Sequence, residues 1–496
     1  MKQLTFPRIH ALLAQHGLWR GVAEHSDAVP TLPDNFPPGL DSEVCTNLAC
    51  DSRKAGPGTL FVCKGRGFRA EYLADAVSRG VRICVAAEND KPAGTGGALY
   101  PIIVTDVRKA LAVLAAEFYG YPQERLFTIA VTGTKGKTTA AYFLWHILTA
   151  AGKKTALFST IDTTTDGKTF RKSSLTTPES LDLFAYMDKA ADAGCTHLVL
   201  EVSSQAYKID RVYGITFDVG VFLNISPDHI GPIEHATFGE YFACKRRLLH
   251  NARAIVLNAQ SSHFDLLHRE ALAQNVPVRL FRADDAAGYD VSLPGDFNRS
   301  NAAAAINAAV LTGIGEQAIR AGLAAARVPG RMEVLTRATG GTVYVDYAHN
   351  YASLHSVLGY VRHKHKGTVA VVTGSTGNKG ESRRQGIAQA LDELADEAVL
   401  TTDDPGDEDP AAIAGEIAAG MTGRARVRIE LDRPQAIRRA FALTPGAEDA
   451  VLIAGKGADL FQKTHGVEVP YMGDVAAAQL AAAGERRDGT LRTEVG

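Results

Sequence analysis

The stretch "LFTIAVTGTKGKTTAAYFLWHILTAAG", residues 126–152, decides the fold class of this protein. A β-type run ends at Thr132, a glycine-rich turn follows, and a helical pattern begins near Lys137. Strand, glycine-rich loop and helix in this order are the context that a phosphate-binding loop requires. We therefore predict an α/β sheet that carries a phosphate-binding loop at the end of this strand.

The residue types of this loop match that chemistry. Gly133 and Gly136 would let backbone N–H groups approach phosphate oxygens, and the N-terminus of the following helix adds positive potential. Lys137 would reach the β- and γ-phosphates, and the Thr138 hydroxyl would ligate Mg²⁺. The spacing G-x-x-G-K-T is two residues shorter than the general motif. A tight turn with a surface lysine and a nucleotide-binding protein that is not an enzyme therefore both stay open.

Polar residues follow two further apolar runs. The run "HLVL" leads into Glu201, and "DVGVFL" is followed by Asn224, Asp228 and His229. Ligands of open α/β sheets bind at the carboxyl ends of strands, so Glu201 is expected to ligate Mg²⁺ beside the phosphate loop. For His229, a structural role is as compatible with the pattern as a role at the site. Lys245 lies on a predicted helix, where its residue chemistry alone indicates a solvated lysine.

Composition limits the classes of function. The 496 residues are enough for roughly three domains. Hydrophobic residues make up 46% and charged residues 22%, and the net charge of −2 gives no bulk reason to expect a nucleic acid or a membrane as partner. The first residues lack the uninterrupted apolar core of a signal peptide, and the six cysteines are scattered without a CxxC pair. We expect a cytoplasmic protein with reduced thiols.

The order of the elements indicates several α/β layers, because apolar runs alternate with helical patterns. A Gly/Pro turn follows a helical pattern near residues 105–122, and a Pro-Gly break follows an Ala-rich helix near 326–335. We therefore predict three domains, residues 1–115, 116–329 and 330–496. The run "GSTGNKGES" lacks the G-x-G opening and the downstream acid of a dinucleotide fingerprint, so the sequence does not favour NAD binding.

A set of motifs, by its order and spacing, resembles the ATP-dependent Mur ligase family along nearly the whole chain. The motifs are "TGTKGKTT" (132–139), "TTPES" (176–180), "EVSSQA" (201–206), "NISPDH" (224–229), "ACKRRLL" (243–249), "GDFNRSN" (295–301), "GRMEV" (330–334), "DYAHN" (346–350) and "GKGAD" (455–459). The resemblance implies a UDP-sugar-binding amino-terminal domain, to which "DSRKAGPGTLFVCKG" (51–65) is similar. It also implies a central P-loop ATPase-like domain and a Rossmann-like carboxyl-terminal domain that binds an amino acid.

The resemblance also implies a reaction. The branch that this chain resembles adds the third residue of the peptidoglycan stem peptide. ATP phosphorylates the D-Glu carboxylate of UDP-MurNAc-L-Ala-D-Glu, and the amine of an amino acid attacks the acyl phosphate. A tetrahedral intermediate then collapses to an amide, phosphate and ADP. Anionic reactants that meet phosphates need cations, so Mg²⁺ and lysines are expected to gather at that point.

The matched motifs imply the site residues. Catalytic roles fall to Lys137, Glu201, His229 and Lys245. The implied metal ligands are Thr138, Glu201, His229 and Lys245, the last as a carbamylated lysine. The implied ATP-binding residues are Thr132, Gly133, Thr134, Lys135, Gly136, Lys137, Thr138, Thr139, Asn298, Arg331, Asp346 and His349. The UDP-muramyl-dipeptide would contact Ser52, Thr176, Thr177, Ser203 and Arg211. The amino-acid substrate would contact Arg384, Asp403, Asp404, Gly455 and Asp459.

The run "TTDDPGDEDP", residues 401–410, bears on the identity of that amino acid. Asp403 and Asp404 follow an apolar run, whereas Asp409 and Pro410 match a helix N-cap and a first helical residue. Family members that add meso-diaminopimelate often have D-N-P-R here, with an arginine that pairs with the distal carboxylate. This chain has Gly406 at that position. A pocket with carboxylates and no distal cation should favour an ammonium side chain.

The expected substrate is therefore a basic diamino acid. The forms "FRAEYL" (68–73) and "GNKGESRR" (377–384) are associated with the lysine-adding branch and favour L-lysine, while L-ornithine and meso-diaminopimelate stay open. A solvated acidic loop explains Asp407 and Glu408. A folylpolyglutamate synthetase-like ligase and a non-catalytic nucleotide-binding partner protein also stay open as interpretations of the chain. We expect a monomer.

Overall fold

The computed structural model describes residues 2–22, 40–65, 67–88, 99–231, 234–378 and 381–492. The chain forms two compact units, Met1–Ala286 with Asn301–Gly322, and Ala287–Ser300 with Leu323–Gly496. Two residues of "GNKGESRR", Lys379 and Gly380, lie outside the described residues.

The first unit begins with a five-stranded sheet in the order β2-β7-β6-β5-β4, in which only β2 is antiparallel to its neighbour. The elements of this part are β1 (Leu4–Thr5), α1 (Phe6–Gln15), β2 (Trp19–Val22), β3 (Val44–Cys45), β4 (Asn47–Ala49), β5 (Thr59–Val62), α2 (Ala70–Ser78), β6 (Ile83–Ala87), β7 (Tyr100–Val104) and α3 (Val107–Phe118).

The same unit contains an eight-stranded sheet in the order β11-β10-β9-β12-β8-β13-β14-β15, parallel from β9 to β15. Its strands are β8 (Phe127–Thr132), β9 (Thr155–Phe158), β10 (Asp162–Thr164), β11 (Arg171–Lys172), β12 (His197–Glu201), β13 (Val219–Phe222), β14 (Ile255–Asn258) and β15 (Val278–Phe281). The helices along this part are α4 (Lys137–Ala150), α5 (Ser180–Asp192), α6 (Ser204–Lys208), α7 (Phe238–Arg246) and α8 (Phe264–Leu272). The residues of α9 (Asp296–Leu311) and α10 (Glu316–Ala325) are divided between the two units.

The second unit is built on a six-stranded sheet in the order β16-β17-β21-β18-β19-β20, with β16 antiparallel and the other strands parallel. Its strands are β16 (Glu333–Thr336), β17 (Thr342–Asp346), β18 (Val369–Thr373), β19 (Glu397–Leu400), β20 (Arg426–Ile429) and β21 (Ala450–Ala454), followed by the hairpin of β22 (Phe461–Thr464) and β23 (Val467–Pro470). Its helices are α11 (Tyr351–Lys364), α12 (Glu381–Leu394), α13 (Pro410–Ala419), α14 (Arg433–Leu443) and α15 (Asp474–Arg492).

The predicted α/β class is confirmed, and several element boundaries match the sequence patterns. Strand β8 ends at Thr132 and α4 begins at Lys137. Asp409 caps α13, which begins at Pro410, because its carboxylate accepts the backbone N–H of Ala411 at 3.0 Å. Short-range patterns of this kind act within a few residues and do not depend on the rest of the fold.

The predicted domain limits remain predictions. The first limit falls inside α3, and the second falls in the turn between α10 and β16. Buried side chains of α3 such as Leu111 and Leu114 belong to one apolar cluster with Phe184 and Met187 of α5. This shared core explains why the two sheets of the first unit form one compact body. None of the described helices combines the length and the apolar composition that a membrane-spanning helix needs.

Candidate active site

The phosphate loop joins β8 to α4 and is held in shape by two asparagines from later in the chain. Gly136 caps α4 with φ of 84°, and a Cβ here would lie 2.1 Å from the side-chain oxygen of Asn301. The Oδ1 of Asn224 accepts the backbone N–H of Lys135 at 2.9 Å, and its Nδ2 donates to the carbonyl of Lys135 at 3.0 Å. The loop therefore requires glycine at position 136 for backbone conformation and for space.

Replacing Gly136 with alanine is expected to lower kcat/KM for ATP by about 100-fold, because the added methyl group displaces Asn301 or the loop by a distance that disturbs phosphate positioning. Gly152→Ala is the matched control, since Gly152 at the other end of α4 also has positive φ, 73°, but has nothing within 4 Å of its would-be Cβ. The control should lose about 1 kcal/mol of stability and keep its ATP kinetics. Equal ATP kinetics in both variants would contradict the assignment.

The threonines of the loop make protein contacts. The hydroxyl of Thr132 donates to the carbonyl of Val202 at 2.8 Å, and the hydroxyl of Thr134 donates to the carbonyl of Ser226 at 3.2 Å. Thr138 and Thr139 are buried in the first turn of α4. Thr132 and Thr134 are therefore expected to meet a nucleotide through their backbone atoms.

Two lysines converge on one carbonyl oxygen of the loop. The Nζ of Lys137 donates to the carbonyls of Gly133, at 3.0 Å, and Thr134, at 3.2 Å. The Nζ of Lys245 donates to the same Gly133 carbonyl at 2.8 Å and lies 5.0 Å from the ring centroid of Tyr241.

The solvated position that residue chemistry indicates for Lys245 is wrong, since its side chain is buried. Burial, and then the neighbouring charge of Lys137, hold the pKa of Lys245 well below its usual range. Helix α7 turns this residue inward, where burial disfavours the charged form of the amine.

Glu201 lies at the end of β12, paired with Val131 of β8, one residue before the end of that strand. Its carboxylate is buried and accepts two hydrogen bonds from Thr160, the backbone N–H at 2.8 Å and the hydroxyl at 3.0 Å. The Thr160 hydroxyl also bonds Thr176 at 3.1 Å. Thr160, which no sequence motif singled out, therefore links a predicted metal ligand to a predicted dipeptide contact.

His229 lies in a loop and its side chain is 40% exposed. Its Nδ1 lies 3.0 Å from the Glu234 carboxylate, and the neighbouring Asp228 pairs with Lys135 of the phosphate loop at 3.0 Å. Burial alone would raise the pKa of Asp228, but the charges of Lys135 and His229 hold it at about 2. Within the described ranges, no group of three or more His, Cys, Asp or Glu side chains forms a metal site by itself.

The predicted dipeptide contacts cluster around a carboxylate. Glu179 accepts from Lys64 at 2.6 Å and from the guanidinium of Arg211 at 2.6 Å. The Thr177 hydroxyl is buried, donates to the Glu201 carbonyl at 2.8 Å and accepts the Ser203 N–H at 3.0 Å. In this structure Thr177 and Ser203 therefore shape the backbone between β12 and α6. Ser52 makes a different contact, a hydrogen bond that lowers the pKa of Asp75.

The nucleotide contacts predicted for the second unit lie around the end of β17. Asp346 is buried and accepts the backbone N–H groups of Met332 and Ala348, each at 2.8 Å. Burial raises its pKa despite these donors and the nearby Arg331. The His349 Nδ1 lies 2.9 Å from the Tyr347 carbonyl.

Two further predicted nucleotide contacts in this unit also make protein contacts. The guanidinium of Arg331 stacks 4.2 Å from the ring centroid of Tyr347. The amide of Asn298 donates to the Pro294 carbonyl at 2.7 Å.

The predicted amino-acid site contains a cation that the sequence motifs did not reveal. The ammonium of Lys456 lies 2.7 Å from Asp404 Oδ1 and 3.6 Å from Asp403 Oδ1. Gly455, with φ of 117°, lets the Asp403 carboxylate approach, since a Cβ there would be 2.2 Å from Asp403 Oδ2. Asp459 follows in the same loop, with its N–H bonded to the Lys456 carbonyl at 3.0 Å.

Comparison with known proteins identifies this arrangement. Residues 131–290 match the Mur ligase middle domain and residues 330–457 match the Mur ligase glutamate ligase domain. The chain is 50% identical over 472 residues to the UDP-N-acetylmuramoyl-L-alanyl-D-glutamate--L-lysine ligase of Enterococcus faecalis, covering 89% of this chain and 92% of that protein. The chain belongs to the Mur ligase family.

Solved structures show the same fold. A UDP-N-acetylmuramoyl-L-alanyl-D-glutamate--2,6-diaminopimelate ligase aligns with a TM-score of 0.62 at 24% identity, over 94% of this Mur ligase and 99% of that chain. A folylpolyglutamate synthase of Mycobacterium tuberculosis aligns with a TM-score of 0.57 at 20% identity, over 69% of this chain and 90% of its own. At such identities the likeness concerns the fold alone.

The structure corrects the interpretation of Glu408 in this Mur ligase. Arg384, predicted to hold a substrate carboxylate, is buried and donates to Glu408 and Glu416, each at 2.6 Å. Glu408 is therefore an ion-pair partner of a predicted site residue. Binding of a substrate carboxylate by Arg384 stays a prediction. The carboxylate would have to displace one of the two glutamates or bind the Nε–H of Arg384. That Nε is buried and has no hydrogen-bond partner among the described residues.

The prediction of no distal cation concerned the arginine position, where Gly406 stands, and it stays a prediction. The structure adds a cation that was not predicted, because Lys456 pairs with both aspartates. The signal was present in "GKGAD", where a lysine stands between two glycines of a motif already assigned to the pocket. Gly406 also has a backbone reason to be glycine. Its φ is 61°, and a Cβ would lie 2.1 Å from Asn378 Oδ1. Replacing Gly406 with arginine would therefore strain the loop, so the Gly406→Arg variant would not separate an effect on amino-acid selectivity from a distorted loop.

Proposed function

We propose that this Mur ligase joins L-lysine to the D-Glu carboxylate of UDP-MurNAc-L-Ala-D-Glu at the expense of ATP, in peptidoglycan biosynthesis in the cytoplasm. The observation that carries the ligase chemistry is the convergence of Lys137 and Lys245 on the Gly133 carbonyl, within a phosphate loop that opens a helix. The identity to the Enterococcus faecalis L-lysine ligase supports the substrate.

The first step places the nucleotide on the loop. Backbone N–H groups at the start of α4 would bind the phosphates, and Lys137 would exchange its two carbonyl partners for β- and γ-phosphate oxygens. The D-Glu carboxylate then forms a bond to the γ-phosphorus while the bond to the β,γ-bridging oxygen breaks. Lys137 stabilises the negative charge that moves toward the leaving ADP.

The second step forms the amide. The neutral amine of the incoming amino acid attacks the acyl carbon, the nitrogen loses a proton, and the carbon–oxygen bond to phosphate breaks. The side chains proposed to hold the reacting dipeptide are Thr176 and Arg211, with Ser203 and Thr177 shaping the adjacent backbone. Arg211 would exchange its contact with Glu179 for an anionic group of the substrate.

Magnesium fits the donors near the loop. The buried Glu201 carboxylate and the Thr138 hydroxyl are oxygen donors of the kind that Mg²⁺ takes together with phosphates. His229 and Lys245, the latter after carbamylation, are the further ligands that we propose. When bound, Mg²⁺ would neutralise phosphate charge and polarise the reacting phosphoryl group. We propose that Thr160 orients Glu201 for this purpose.

Selectivity for a cationic amino acid is proposed to come from the loop of Asp403 and Asp404 together with Asp459. The position at which many diaminopimelate-adding family members carry an arginine is Gly406, whose backbone conformation disfavours any side chain. A second substrate carboxylate would find no arginine at this position.

The test is phosphate release with ATP, Mg²⁺ and UDP-MurNAc-L-Ala-D-Glu, comparing three amino acids. L-lysine should be the best substrate, and L-ornithine should be about 10- to 200-fold poorer because it is one methylene shorter. With meso-diaminopimelate the rate should fall by more than about 30-fold, since an unpaired buried charge costs about 2–5 kcal/mol. Turnover with meso-diaminopimelate alone would support the ligase activity but contradict L-lysine as the substrate.

A further inference from the structure

A buried ammonium lies at the wall of the proposed amino-acid site. Lys456 is 1% exposed, and its Nζ donates to Asp404 Oδ1 at 2.7 Å and lies 3.6 Å from Asp403 Oδ1. The surroundings include the ring of Phe461, whose centroid is 5.3 Å from Nζ. Burying an ammonium costs free energy unless the charge is paired. The buried position of Lys456 therefore depends on its ion pair with the aspartates of the loop.

Contacts to carboxylate oxygen Oδ1 and to the backbone N–H hold Asp404 in a left-handed backbone conformation. Its φ of 47° lies in the left-handed region of the backbone, which residues other than glycine adopt infrequently. Oδ1 accepts both the Lys456 ammonium and the backbone N–H of Lys463, at 2.8 Å, while the Asp404 N–H donates to Gln462 Oε1 at 2.8 Å. For Oδ2, no hydrogen-bond partner occurs among the described residues, and the side chain is 18% exposed.

Lys456 places a positive charge between the two aspartates of the loop. Burial raises the pKa of Asp403, and the charge of Lys456 opposes that rise. Without Lys456, the adjacent carboxylates of Asp403 and Asp404 would repel each other with no cation between them. Because Lys456 and the backbone N–H of Lys463 both bind Oδ1 of Asp404, its second oxygen stays oriented away from them and available to a ligand.

We propose that Lys456 is a positioning residue that determines selectivity for an ammonium side chain: it binds Oδ1 of Asp404 and leaves Oδ2 as the charged acceptor for the distal ammonium of the amino-acid substrate. This inference rests on the proposed function, because it assumes that the loop receives the amino acid. Lys456 acts through Asp404 and need not touch the substrate.

The experiment compares L-lysine with L-norleucine, which has a methyl group in place of the distal ammonium. The wild-type protein should prefer L-lysine strongly in kcat/KM. In Lys456→Met that preference should fall by at least about 30-fold, mainly through a higher KM for L-lysine, while KM for ATP and for the UDP-muramyl-dipeptide stays unchanged. Lys364→Met is the matched control, because that lysine is exposed in the last turn of α11, and this variant should keep the wild-type preference.

The outcomes separate the two proposals. If the wild-type protein releases no phosphate in response to L-lysine, the proposed function is contradicted. If the wild-type protein does release phosphate, and Lys456→Met keeps the wild-type preference for L-lysine over L-norleucine, the inference about Lys456 is contradicted.

A second variant covers the case in which Lys456→Met does not fold. Asp404→Asn keeps the shape of the side chain and should lose the preference for L-lysine as well. An unchanged preference in Asp404→Asn would equally overturn the inference.

Discussion

Replacing Lys137 with alanine is expected to reduce turnover by about 100- to 1,000-fold or more, because the loop loses the charge that α4 directs onto the transferred phosphate in the proposed mechanism. In this structure the Nζ of Lys137 lies within 3.2 Å of the carbonyls of Gly133 and Thr134. The ammonium is therefore already at the loop, where we propose that it binds the phosphates. The measurement is ATP- and L-lysine-dependent phosphate release.

Lys153→Ala is the control for this prediction. Lys153 is exposed just beyond the carboxyl end of α4, so its removal changes the net charge equally without reaching the loop. This control should keep wild-type turnover. Normal activity of Lys137→Ala, with its melting temperature unchanged, would remove the phosphate-loop assignment.

Replacing Lys245 with alanine is expected to lower turnover by about 100-fold or more, and added acetate should restore part of it. The buried amine lies 2.8 Å from the Gly133 carbonyl, and burial holds its pKa well below the usual range. A neutral amine can attack CO2, form a nitrogen–carbon bond and lose a proton, which gives a carbamate. The carbamate would turn a cationic side chain into an oxygen ligand for Mg²⁺.

Two measurements test this role of Lys245. Wild-type protein equilibrated with ¹³C-labelled bicarbonate should show a carbamate carbon signal that is absent from Lys245→Ala. Acetate should rescue Lys245→Ala but not Lys137→Ala, since only the former lacks a carboxylate-like group. A variant that is inactive, folded and not rescued, together with no carbamate signal, would show that Lys245 acts as an amine.

The sequence predicted those features that depend on short-range patterns. The end of β8 at Thr132, the start of α4 at Lys137 and the Asp409 cap of α13 each follow from a few adjacent residues. The strand that leads into Glu201 follows in the same way from its apolar run. The motifs also pointed to the Mur ligase family, which the domain matches and the 50% identity confirm.

Contacts between distant residues could not be predicted in this way. Lys245 looked like a solvated lysine by chemistry, and only the fold brings it to Gly133, 112 residues away. Glu408 looked like part of a solvated acidic loop, whereas Arg384 of α12 pairs with it. Burial and ion pairing depend on which surfaces meet, and a local pattern of residues carries no information about that.

The sequence by itself thus determined the α/β class, the phosphate loop and the family of this protein, because these depend on local geometry and on the order of motifs. Only the tertiary structure decided the charge balance of the predicted amino-acid site. Lys456 and Asp404 are 52 residues apart, yet their ion pair shows that the aspartates of the loop are compensated by a protein cation. The free energy of such a buried charge depends on its partners in space, so it is set when the sheet and its loops assemble.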